Sequence, residues 1–190
     1  MKRVIVAGLL AGLALFAWES VAHLVLPLGA AGVKGLDNAQ VLSSLRNNVK
    51  EDGLYIFPMQ ANGQASQTAS GPAGIMVVQP NGTMAMMPSQ LVIQLAADVV
   101  AMLLAAALLV QAGGFPGFGK RVVFFTLMGI LPALRTDLSY WNWYAFPAVY
   151  TAAQFAINIV GFCLGGLVIA KMVGTPSTTP RNAREARAAA

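Results

Sequence analysis

Long apolar runs separated by short polar ones dominate this chain. Four windows, about Val4–Leu26, Leu91–Gln111, Arg121–Tyr140 and Phe146–Ala170, each reach the roughly 20 apolar residues that a helix needs to cross a bilayer core. The pattern predicts an all-α membrane protein. Four transmembrane helices over 1–27, 91–112, 120–141 and 146–171 form a four-helix bundle, and 28–90 form a small α/β extracytoplasmic insert between the first two. A Thr-, Pro-, Ala- and Arg-rich tail over 174–190 lacks the apolar content to fold and is expected to be disordered.

Within the insert, Asp37 is expected to cap a helix running to about Lys50, with Val41, Leu42, Leu45 and Val49 on one side. Gly53–Phe57 reads as a strand. Residues 60–74, rich in Gln, Ser, Ala and Gly, read as a loop. Ile75–Gln79 and Thr83–Met87 flank Pro80-Asn81-Gly82, which reads as the turn of a β-hairpin.

Three of the spans carry a stripe. On the first, Gly8, Gly12, Leu15, Glu19 and His23 follow helical spacing and share one face. On the fourth, Thr151, Gln154, Asn158, Gly161 and Gly165 do the same in reverse, and Gln94, Asp98, Ala101 and Ala105 form a weaker version on the second. At about 1.5 Å rise per residue, Glu19 and Asp98 each lie about 10–12 Å below the insert-side boundary. Arg135 and Gln154 fall near the same level, with His23 beside them and Asn158 a turn deeper. Charged groups facing lipid cost about 2.5–3.5 kcal/mol each near a helix centre, so the expectation is that Glu19, His23, Asp98, Arg135, Gln154 and Asn158 face inward and meet. Gly8, Gly12, Gly161 and Gly165 are expected to form one helix-packing seam between spans one and four, since small residues four apart let backbones approach.

Composition agrees with the membrane reading: 57% of the 190 residues are hydrophobic and 10% charged, with a mean hydropathy of +0.65, against about 25% charged in a typical soluble domain. The net charge of +5 changes the picture only as topology. Lys2, Arg3, Lys120, Arg121, Lys171, Arg181, Arg184 and Arg187 share one side of a four-span protein, and basic residues mark the cytoplasmic side. Both termini are therefore placed in the cytoplasm of a bacterial inner-membrane protein. The bilayer is the first partner, other membrane subunits or a homo-oligomer are further ones, and nucleic acid is excluded because no basic run is interleaved with aromatics. A rival reading makes the first run a cleaved signal peptide, but it continues past Trp18 to Leu26 without a small-x-small cleavage site.

Several chemistries are open at the polar level. Glu19 with Arg135, and Asp98 with His23, read as structural ion pairs that fix the helix arrangement. The same residues read as a proton- or ion-coupled path, because a carboxylate–imidazole pair exchanges protons near neutral pH. A metal or haem site fits less well. His23 is the single histidine, and one histidine with two carboxylates is a poor match to N/S-rich sites. Met84, Met86 and Met87 with Met59 or Met76 would suit Cu(I) but read first as packing. Neither a metal nor a cofactor is therefore assigned. Cys163 is alone and reads as a packing residue. No Gly-x-Ser-x-Gly, His-Glu-x-x-His or phosphate loop is present, so Asp137, Ser139 and Tyr140 read as a helix cap rather than as catalytic groups. The functional expectation is a non-enzymatic accessory, assembly or binding subunit. A small proton- or ion-coupled permease is the alternative, and a membrane enzyme comes after it.

The stretches Trp18–Gly29 (WESVAHLVLPLG) and Tyr140–Pro147 (YWNWYAFP) resemble segments of small bacterial inner-membrane proteins with four spans. The resemblance implies the architecture and location already read from the pattern, and it transfers no activity.

Overall fold

The computed structural model describes residues 1–59, 71–82 and 86–173. Its elements are α1 (Lys2–Leu24), α2 (Ala39–Asn48), β1 (Gly53–Phe57), β2 (Gly74–Val78), α3 (Pro88–Gln111), α4 (Phe118–Pro132), α5 (Leu138–Tyr144) and α6 (Ala148–Met172). A π-helical turn over Ala133–Asp137 joins α4 to α5, so Phe118–Tyr144 forms one long rod. This rod, α1, α3 and α6 are four helices long and apolar enough to cross a membrane. The polar C-terminal tail expected over 174–190 lies outside the described residues.

The four rods pack as an up-and-down bundle. α1 lies between α3 and α6, and α6 lies between α1 and α4. The fourth joint is loose: α3 and α4, though linked by the short 112–117 turn, barely touch. Packing is tightest toward the end that carries the termini, where Ala7, Ala11, Leu15, Met102, Ala105, Ala106, Leu109, Phe125, Ile169 and Val173 form one buried cluster. Small residues dominate the α1 and α3 contributions, so the helices meet closely there. The large exposed side chains, among them Leu9, Leu13, Val92, Leu104, Val123, Leu127 and Val149, form the outward faces expected of helices whose solvent is lipid.

Glycines set the close approaches, but not as one seam. A Cβ on Gly12 would lie 2.5 Å from the Val99 Cα, and one on Gly8 would lie 3.0 Å from the Leu103 Cα. The α1 glycines therefore pack on α3, not on α6. Gly161 receives Leu15 and Trp18 of α1, and Gly165 receives Met102 of α3 and the Ala11 carbonyl. The expected single seam divides because the two glycine pairs face different neighbours. Gly129 and Gly166, outside both pairs, bring α4 onto α6, with Gly129 facing the Asn158 carbonyl and Phe162.

Local chemistry explains the ends. Ala145 adopts a left-handed conformation (φ 55°) that stops α5, and Pro147 starts α6 where its missing N–H costs nothing. Pro132 lacks the N–H that a continuing α-helix uses, and the wider π turn follows it directly.

In the insert, Asn38 and not Asp37 caps α2: its Oδ1 accepts from the N–H groups of Gln40 and Val41. Asp37 stands one residue too early to reach the first free N–H groups. β2 pairs antiparallel with β1, Gly53 opposite Val78 through Phe57 opposite Gly74, a pairing the turn signals did not indicate. Apolar residues stand opposite one another along the pair, Leu54 against Val77, Tyr55 against Met76 and Ile56 against Ile75, and such cross-strand pairs stabilise a sheet. Residues 60–70 of the expected loop and Thr83, Met84 and Ala85 of the expected second hairpin strand lie outside the described residues, as does the third residue of the Asn81-Gly82-Thr83 sequon.

Candidate functional site

α1 and α3 run antiparallel, and their separation changes along the pair. They are backbone-close at Gly8–Leu103 and Gly12–Val99. One to two turns further toward the insert they are bridged by side chains. Beside that bridge lies a cavity of about 400 Å³ lined by Phe16, Glu19, Ser20, His23, Leu24, Met86, Leu91 and Gln94.

The bridge is a single amide. Gln94 Nε2 donates to Glu19 Oε2 at 2.9 Å and to Asp98 Oδ1 at 2.9 Å. The four-residue spacing of Gln94 and Asp98 puts both on the α3 face toward α1, Asp98 next to Val99 and Gln94 about a turn beyond it. Both hydrogens of the amide are thus committed to carboxylates. Asp98 is 4% exposed, and its Oδ2 is buried without a hydrogen-bond partner. Such an atom loses its hydration with nothing in return, which costs more for a charged group than the about 1–3 kcal/mol typical of a buried unpaired polar atom.

The other residues expected at this level are distributed differently. Arg135 has an exposed side chain within the π turn, and its carbonyl accepts from Ser139. The carboxylates of Glu19 and Asp98 are held by Gln94 rather than by arginine. His23 Nδ1 bonds its own helix at the Glu19 carbonyl, 2.9 Å away, instead of Asp98. Gly29 of the following linker lies flat against the imidazole, where any side chain would collide with it.

Asn158 belongs to a second polar node, on α6 and the π turn. Its Nδ2 donates to Asp137 Oδ2 at 3.0 Å and to the Gln154 carbonyl at 3.1 Å. Asp137 makes no capping bond, so the expected helix cap is instead a tertiary contact, delivered by the π turn on which it sits. Gln154 is half-buried on the same face of α6.

Two participants were not singled out by pattern. Gln94 appeared only as a member of the weaker stripe, yet it is the residue that joins the two acids. Arg121, whose position was explained by topology alone, is buried, and its Nη1 donates to the Val173 carbonyl at the end of α6. A cation at the C-terminus of a helix satisfies orphan carbonyls and opposes the helix dipole. Its depth had no sequence signal, because Lys120-Arg121 reads like any charged pair at a span boundary.

Among the described residues, no three of His, Cys, Asp and Glu gather closely enough to hold a metal ion. Comparison with family models, curated proteins and solved structures gave no match. The chemistry of the site therefore carries the functional reading.

Proposed function

We propose that the protein is a multi-pass protein of the bacterial inner membrane, with both termini cytoplasmic, that works by binding rather than by catalysis. In this reading the Glu19–Gln94–Asp98 site, in the outer half of the bundle, receives a positively charged group entering from the insert side. The observation that carries the reading is the unpartnered, buried Oδ2 of Asp98 beside a second carboxylate on one shared amide. A structural ion-pair network would place Arg135 or His23 on these acids, whereas Arg135 is exposed and His23, in the same cavity wall as Glu19, bonds the Glu19 backbone carbonyl through Nδ1. The packed cluster from Ala7 to Val173 lies beyond the site toward the terminal end, which favours binding over conduction across the bundle.

The test is thermal unfolding of the purified protein against a panel of inorganic and organic monovalent cations at constant ionic strength. A ligand at 100 times its Kd stabilises by about 2.7 kcal/mol. At least one cation should raise the Tm of the wild type and leave a Glu19→Gln/Asp98→Asn variant unmoved. Identical responses from both proteins to every cation would contradict the proposal.

A further inference from the structure

We infer that the ligand of this site is a lipophilic organic ammonium, a compact cation carrying an apolar body, rather than a bare metal ion. The inference rests on the cation-binding reading above and adds the class of cation. Two independent features support it. One is charge: Glu19 lines the cavity, and Asp98, outside the lining, shares the Gln94 amide with it and keeps Oδ2 buried and unpartnered. The other is the shape and lining of the space in front of them. A bare ion needs several oxygen ligands at close range, and among the described residues no third His, Cys, Asp or Glu joins the two carboxylates.

The space is instead about 400 Å³, within the roughly 300–1,000 Å³ typical of sites for small organic ligands. Its wall away from the carboxylates is apolar, made by Phe16, Leu24, Met86 and Leu91. Phe16 supplies an aromatic face of the kind that attracts ammonium groups, and methionine adapts to varied apolar shapes. Gln94 has spent both amide hydrogens, so the pole at this end is acceptor-only. An ammonium head placed there meets the Glu19 carboxylate in the cavity wall and adds its charge opposite Asp98 across the Gln94 amide, while its hydrocarbon body fills the remainder.

The experiment measures binding of benzyltrimethylammonium to the full-length protein in nanodiscs, with sodium, potassium, calcium and benzyl alcohol as comparators. Saturable binding of benzyltrimethylammonium and none of benzyl alcohol is expected. Asp98→Asn or Glu19→Gln should weaken it roughly ten- to a hundredfold, the worth of one lost charged contact. Leu91→Trp, on a half-exposed position that leaves the packed core untouched, should block the organic cation by filling the cavity. Binding of an inorganic cation alone, sensitive to Asp98→Asn and indifferent to Leu91→Trp, would overturn this inference and leave the cation-binding proposal standing. No binding of any cation would overturn both.

Discussion

At Asp98 a carboxylate is buried with one oxygen hydrogen-bonded and the other bare. Removing a buried charge that has no partner relieves a desolvation cost that nothing offsets. Asp98→Asn should therefore be at least as stable as the wild type without ligand, with a gain of up to about 1–3 kcal/mol. Reversible unfolding in mixed micelles checks this, and a clear loss of stability would mean that the charge is already compensated. Ala145 is a residue-scale case of the opposite kind. Its left-handed backbone costs an L-residue roughly 1–2 kcal/mol, so Ala145→Gly should raise stability by about 0.5–1 kcal/mol. The periodicity of Glu19 and Asp98 was legible in the sequence because four-residue spacing fixes a helix face. Their direct partner was not, since an amide on an adjacent stripe looks like any polar helix residue until two helices are placed together.

Elements here are positioned by glycines more than by polar groups. Gly12 on Val99 and Gly129 on the Asn158 carbonyl are approaches that no side chain fits without displacing backbone. Gly129→Leu should destabilise the bundle by about 1–3 kcal/mol or more, seen as unfolding at lower denaturant, whereas Gly113→Leu, at an open turn with positive φ, should act only through local backbone strain. The paired motifs at Gly8-Gly12 and Gly161-Gly165 were readable, while Gly129 was not, because a lone glycine carries no spacing signal. Which way Arg135 faces was not readable. It lies within the π turn after Pro132, where regular helical phase no longer predicts which way a side chain faces.

For the whole molecule, the rod order α3–α1–α6–α4 with one loose joint makes a geometric prediction. In a Cys163→Ser background, Leu15→Cys with Gly161→Cys should cross-link readily, because the Leu15 side chain packs directly on Gly161. Val92→Cys on the insert half of α3 with Leu134→Cys in the π turn of the Phe118–Tyr144 rod should not, because those rods barely meet. Equal yields from both pairs would mean a bundle closed on all four sides. The four long apolar helices were legible from apolar run length alone, whereas the pairing of β1 with β2 joins segments about twenty residues apart, and no local turn signal marks it.

The central claim is that the insert-side cavity between α1 and α3 is reachable and selects positive charge. It is tested most directly by the modification rate of Leu91→Cys, in the same Cys163→Ser background, with membrane-impermeant thiosulfonates of opposite charge. The account predicts a cationic-to-anionic rate ratio at least about tenfold higher than that measured after Glu19→Gln/Asp98→Asn is added. A ratio unchanged by that neutralisation, or a cysteine that neither reagent reaches, would contradict it.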